Sequence, residues 1–330
     1  MDETHFLPAM TRRAALVALG GLPLAACAGS PRFVAQAEAA GEQPLLHVLT
    51  TRRTTGDGRA APFLDSSRAP RLSYHRARLK APDRSTLGRL GNAVAARDYQ
   101  IEQFETVLGD AIPNFTENLR GRDTLLFVHG YNQTFETAAF DAGMLAGETG
   151  FRGHAALFTW PSRAGLLDYG YDRESALLAR DPFADAISAV THDPFGARLH
   201  IVAHSMGTLV TLEALRLDRE RHRDNALDRF GAIVFAAPDI DLDVFRAGLE
   251  RLGPLREKMT VITATNDRAL DLSRRLAGGA RVGALPPRDL DGLGIRVIDA
   301  TDFASGLVRH DVFVANADVR AAIKRAVERA

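Results

Sequence analysis

The sequence predicts an α/β chain: a mostly parallel, doubly wound sheet of about eight strands with helices on both faces. Two observations carry this. Short continuous apolar runs, such as Thr124-Leu125-Leu126-Phe127-Val128 and Leu199-His200-Ile201-Val202-Ala203, read as strands covered on both faces. Longer stretches with helical periodicity separate them, and that alternation is the pattern of successive βαβ units. No internal repeat and no second domain interrupts it.

In chain order, Leu45-Leu46-His47-Val48-Leu49 is the first strand candidate. Residues 72–79 alternate apolar and basic side chains, as an exposed edge strand would. The runs at 124–128, 155–159, 199–203, 232–235, 259–263 and 295–298 follow as core strands. Helical patterns fill the intervals at 134–147, 173–190, 207–217, 242–250 and 268–276, and a last one spans 316–328. In that last helix Val319, Ile323 and Val327 recur at helical spacing behind Asn316, a residue type suited to cap it. Residues 278–294, rich in Gly and Pro, form the longest loop between late strands.

The 330 residues contain 46% apolar residues, enough for a sizeable core. Forty-one basic and 41 acidic residues balance, so the chain as a whole has no electrostatic pull toward nucleic acid. Residues 51–90 are locally basic, with ten Lys/Arg against three Asp, and read as a solvated face of the early strands. The single cysteine, Cys27, excludes an internal disulfide and a cysteine-rich metal site. Its setting gives it another role. Arg12 and Arg13 precede a short apolar run that ends in Leu24-Ala25-Ala26-Cys27. The run is too short to span a bilayer and has the length of a signal-peptide core. The tetrapeptide resembles a bacterial lipobox, whose cysteine is acylated after cleavage before it. Residues 1–26 are therefore expected to be an export signal, and 27–43 a lipidated Cys with its tether. Residues 44–330 would then form the folded domain, held in the cell envelope, in the periplasm or at the outer membrane. Thr11-Arg12-Arg13 resembles a twin-arginine signal, with Ala15 where Phe is usual.

Ala203-His204-Ser205-Met206-Gly207 lies where a buried strand runs into a helix. This is the G-x-S-x-G nucleophile elbow with Ala in the first position. The tight turn requires small residues two positions to either side of the serine. A serine hydroxyl needs a base to remove its proton, and in this arrangement the acid and the base follow the serine in chain order, on later strand ends. Only His222 and His310 lie downstream of Ser205. His222 sits in a charged run, which leaves His310 as the base. The acid is Asp267, after the 259–263 strand, or Asp239, after the preceding one, with Asp267 the better placed. An oxyanion needs two backbone N–H donors. Met206 supplies one, and Tyr131 in His129-Gly130-Tyr131-Asn132 the other.

These blocks, with Phe158-Thr159-Trp160-Pro161-Ser162, Ala236-Ala237-Pro238-Asp239-Ile240-Asp241 and Asn266-Asp267-Arg268-Ala269-Leu270, make residues 44–315 resemble an uncharacterised bacterial α/β-hydrolase family with esterase- or lipase-like members. The resemblance implies an α/β-hydrolase fold and a Ser205/Asp267/His310 triad, and supplies no substrate. Trp160, Tyr169 and Tyr171 are candidates for a substrate pocket. The histidines show no metal-ligand spacing, and no cofactor is expected. The short interval 239–258 leaves no room for a large lid, while 165–171 is placed to cover the cleft lightly. The expected partner is a small-molecule or lipid ester. Amide, thioester or acyl-transfer chemistry uses the same triad, and a non-catalytic envelope scaffold is the alternative from another class.

Overall fold

The computed structural model describes residues 44–56, 60–80, 100–165, 167–222, 226–267, 270, 273–274, 278–302 and 316–330. Nine strands and seven named helices alternate through them. In chain order they are β1 (Leu45–Thr54), β2 (Leu64–Lys80), β3 (Gln100–Val107), α1 (Ala111–Asn118), β4 (Thr124–Val128), α2 (Phe135–Thr149) and β5 (His154–Thr159). Next come α3 (Tyr169–Leu178), α4 (Arg180–His192), β6 (Leu199–His204), α5 (Gly207–Arg221), β7 (Phe230–Ala236) and α6 (Leu242–Leu252). The series closes with β8 (Met259–Thr263), β9 (Arg296–Asp299) and α7 (Ala317–Glu328).

All nine strands join one sheet in the order β3-β2-β1-β5-β4-β6-β7-β8-β9. Every pairing from β1 to β9 is parallel, and β2 alone runs against the rest. The pleat divides the central strands between two cores. Leu126, Val128, Ile201, Ala203 and Phe235 face one side, with Phe183, Ile187, Leu212 and Phe245 of α4, α5 and α6. Leu125, Phe127, Val202 and Val234 face the other, with Phe135, Leu145, Val319 and Ile323 of α2 and α7. A sheet apolar on both faces is why these strands read as unbroken apolar runs.

Local signals explain most element ends. Asn316 caps α7, its side chain accepting from the N–H groups of Asp318 and Val319. Thr134 caps α2 in the same way, and Gly150 ends it in the left-handed conformation at φ 67°. Two expectations change. Residues 72–79 belong to the longer β2, which is not an edge: β3 pairs outside it. The single helix expected at 173–190 is two helices, α3 and α4, meeting at Ala179. Pro182 accounts for the break, because a proline ring has no N–H to give and clashes with the carbonyl four residues back, that of Leu178.

The interval between β7 and β8 holds only α6 and a 3-10 turn, as its length implied. The crossover from β5 to β6 carries α3 and α4.

Candidate active site

In a parallel sheet the chemistry gathers beyond the carboxyl ends of the strands. Val128, His204, Ala236 and Thr263 end β4, β6, β7 and β8 at this edge, with Val128 opposite Ala203, His204 opposite Ala236 and Ala236 opposite Ile262. The loops holding Gly130, Ser205, Asp239 and Asp267 follow directly.

Ser205 has φ +51°, a strained conformation for a residue with a side chain. The strain is held in place. The Ser205 N–H donates to the Ala236 carbonyl at 3.0 Å, and its own carbonyl receives Thr208 N–H at 3.0 Å and Thr208 Oγ1 at 2.5 Å. α5 begins at Gly207, so the positive end of a helix lies beside the hydroxyl. The turn tolerates no bulk. A Cβ on Gly207 would stand 2.3 Å from the His129 carbonyl oxygen, and one on Gly130 would stand 2.8 Å from Ser205 Cβ. Ala203, in place of the usual first glycine, is fully buried in β6.

Gly130 therefore brings the 129–134 loop against Ser205. Among the described residues neither Tyr131 N–H nor Met206 N–H meets an acceptor. Asn132 adopts φ +61°, and its N–H donates to Asp172 Oδ2 at 3.3 Å. Asp172 is wholly buried and also accepts Ser162 Oγ at 2.5 Å and Arg163 N–H at 2.9 Å. Burial pushes the Asp172 carboxyl above the usual range, against the pull of those donors.

The two candidate acids differ in setting. Asp267 is buried after β8 and accepts the Leu270 N–H at 3.2 Å. Asp239 is buried in a network of its own, with Tyr169 hydroxyl at 3.1 Å, Ser273 hydroxyl at 2.5 Å and Arg281 Nε at 3.3 Å. Both Asp239 and Arg281 have 5% or less of their side chains exposed. An aspartate committed to a buried guanidinium is suited to cross-linking loops. His310 lies outside the described residues, as does Cys27.

The expected pocket aromatics are redistributed. Trp160 has no exposed surface, stacks on His129 at 4.8 Å and donates its indole N–H to the His129 carbonyl. It is scaffold beneath the 129–134 loop, where its apolar bulk is best buried. Tyr169 packs edge-on to Tyr131 and gives its hydroxyl to Asp239. Tyr171 lies under the Arg163 and Arg68 guanidinium groups, at 3.7 and 4.3 Å. The Tyr131 hydroxyl donates to Gly165 O at 2.8 Å, which docks this segment on the 129–134 loop.

Arg52 is the residue that sequence reasoning missed. It lies in the basic stretch expected to face solvent, yet it is 1% exposed. Its guanidinium donates to Thr159 Oγ1 and to the carbonyls of Asp65, Ser162 and Gln133. No local pattern distinguishes it from its exposed neighbour Arg53.

Three buried imidazoles carry a pH prediction. Burial, with the charge of Arg52, drives His129 down to about 3. Burial first, then His154 and Arg76, drives His47 to about 4, and burial drives His75 to about 4. Each ring is held neutral in the fold but protonates near 6.5 once unfolded. The unfolded chain therefore binds more protons between pH 6.5 and 4, so stability is complete above 6.5 and declines as pH falls toward 4. The slope is up to about 1.4 kcal/mol per pH unit for each ring. Urea unfolding at pH 7.0 and 5.0 is expected to give a clearly lower midpoint at the lower pH. Equal midpoints would mean that these rings are not held neutral.

Among the described residues no group of three or more His, Cys, Asp or Glu is arranged to hold a metal ion. A family model described as alpha/beta hydrolase of unknown function (DUF900) matches residues 108–327, about two thirds of the chain. Solved structures with a similar chain path include three hydrolases. A predicted CIB-like hydrolase from Thermoplasma acidophilum is 13% identical at TM-score 0.37, over 78% of this chain and 93% of that one. An esterase from the archaeon Pyrobaculum calidifontis is 12% identical at TM-score 0.38, over 78% and 81%. An ester-hydrolase from the metagenome of Lake Arreo is 16% identical at TM-score 0.36, over 82% and 84%. No curated protein sequence matches the chain.

Proposed function

Since the chain belongs to the α/β hydrolases of this family of unknown function, we propose that it is a serine hydrolase that cleaves carboxylic esters through an acyl-enzyme. Ser205 is the nucleophile, His310 the general base and Asp267 the acid that orients the imidazole. The N–H groups of Tyr131 and Met206 receive the oxyanion. The observation that carries the reading is the Ser205 backbone at φ +51°, on a strand-to-helix turn with Gly130 pressed against its Cβ. A strained serine held in that position is costly without a use for its hydroxyl.

In the proposed sequence His310 takes the Ser205 proton as Oγ attacks the ester carbonyl, and Asp267 stabilises the imidazolium that forms. The tetrahedral oxyanion sits at the start of α5, where the Met206 N–H and the helix dipole favour negative charge. His310 returns the proton to the departing alcohol, and water then repeats the attack on the acyl-Ser205. The test is labelling with a fluorophosphonate, followed by peptide mapping. The adduct is expected on Ser205, and an adduct on another serine, or none on the folded protein, overturns the assignment. A parallel panel of short and long p-nitrophenyl esters reads acyl length.

The proposal extends to location. Cys27, acylated after removal of residues 1–26, would tether the domain in the cell envelope, where small or lipid esters reach it. Cys27→Ser is expected to release the protein from the membrane fraction with turnover unchanged. Continued membrane association would remove the lipid-anchor reading.

A further inference from the structure

A wholly buried arginine that donates only to neutral oxygens is unusual, because a desolvated charge is expensive unless every donor is used. Three of the four acceptors of Arg52 are far away in sequence and close to the active site. Gln133 O, at 2.8 Å from the guanidinium, lies in the loop after β4, and Ser162 O, at 3.2 Å, in the loop after β5. Arg52 Nε donates to Thr159 Oγ1 at 2.9 Å. The Thr159 hydroxyl accepts from Arg52 through one lone pair and keeps its hydrogen for His129 Nε2, also 2.9 Å away. The Trp160 N–H reaches the same nitrogen at 3.2 Å. Nε2 is thereby the acceptor, and the one remaining ring hydrogen is on Nδ1, which lies 2.8 Å from the Gly130 carbonyl oxygen.

That last bond fixes a peptide plane. In a trans peptide the carbonyl of one residue and the N–H of the next point in opposite directions. Holding Gly130 C=O toward His129 therefore turns Tyr131 N–H away from it, and among the described residues that N–H meets no acceptor. We infer that Arg52, Thr159 and His129 form a buried relay that positions the Tyr131 N–H as an oxyanion donor. The inference rests on the serine-hydrolase reading of the same site. All three are positioning residues, acting through the Gly130 peptide and touching no reacting atom. The relay also gives the buried charge a purpose: the positive guanidinium opposes protonation of His129, and a protonated Nε2 would lose both of the bonds it accepts.

The test measures kcat and KM on a soluble p-nitrophenyl ester for wild type, Thr159→Val, Thr159→Ser, Arg52→Lys and His129→Phe, with thermal unfolding of each. His129→Phe keeps a ring to stack on Trp160 and loses the donor to Gly130. It is expected to lower kcat about 100-fold, the scale of one oxyanion donor, with KM changed less than about threefold, because the oxyanion exists only beyond the ground state. Thr159→Val and Arg52→Lys should lower kcat about tenfold in the same pattern. Thr159→Ser, which keeps the hydroxyl, should match wild type. Fluorophosphonate labelling rates should fall in the same order. Wild-type kcat in folded Thr159→Val and His129→Phe overturns the relay and leaves the hydrolase reading intact. The relay is equally overturned if Thr159→Ser loses as much as Thr159→Val, or if losses track the folded fraction. A folded wild type that neither turns over ester nor takes the label overturns the hydrolase reading, and the relay with it.

Discussion

Ser205→Ala is expected to abolish fluorophosphonate labelling and to lower ester turnover by about five to six orders of magnitude. His310→Ala should lose nearly as much, and the double variant no more than either alone. Residues of one catalytic unit fail together, since a serine without its base and a base without its serine are equally idle. A residual rate above that in water would remain from the oxyanion donors. The prediction discriminates because other buried serines stand beside carboxylates in the same region. Ser162 donates to Asp172 while accepting the N–H groups of Gln133 and Ala164. Ser273 donates to Asp239 and meets the Tyr169 hydroxyl. Both hydroxyl groups are committed to structural bonds, and neither residue has the positive φ of Ser205. If the label survives Ser205→Ala, the nucleophile is another serine, and the elbow would be a packing device only.

The parts of this fold that could be read from the sequence are those set by neighbours in the chain. The central strands announced themselves because both faces of the sheet are covered, and Asn316 marked the start of α7 because a cap acts two and three residues away. The elbow was visible for the same reason, since the strand, the turn and the helix that make it are contiguous. What could not be read depends on distant partners. β3, with the sequence Gln-Ile-Glu-Gln-Phe-Glu-Thr-Val, has no fully buried side chain and exists as a strand because β2 lies beside it. Arg52 is buried by loops 81 to 110 residues further on, and its local sequence is that of a surface strand. Trp160 looked like a pocket wall because it follows a strand at the functional edge of the sheet. Its place was decided by His129, which offered both a ring to stack on and a carbonyl for the indole N–H.

The same distinction between local and distant partners separates the two aspartates. Asp267→Asn is expected to lower kcat by about three to four orders of magnitude and to leave the thermal midpoint within a few degrees of wild type. In the proposed triad an amide in that place would no longer balance the imidazolium and would favour the wrong tautomer of the base, so the cost would appear in the transition state. Asp239→Asn should do the reverse. The Asp239 N–H donates to the Ser205 carbonyl at 3.3 Å, and Gly283 N–H donates to the Pro238 carbonyl, so the Arg281 pair fastens the 278–294 loop beside the elbow. Neutralising Asp239 leaves the Arg281 guanidinium buried at 5% exposure without its counter-charge. Losing one partner of such a pair costs about 3 kcal/mol or more, which a denaturant titration reads directly. Turnover per folded molecule should fall far less than in Asp267→Asn. Opposite rankings, with Asp239→Asn nearly inactive yet stable and Asp267→Asn active, would transfer the role of acid to the end of β7 and leave Asp267 as a buried acceptor of the Leu270 N–H.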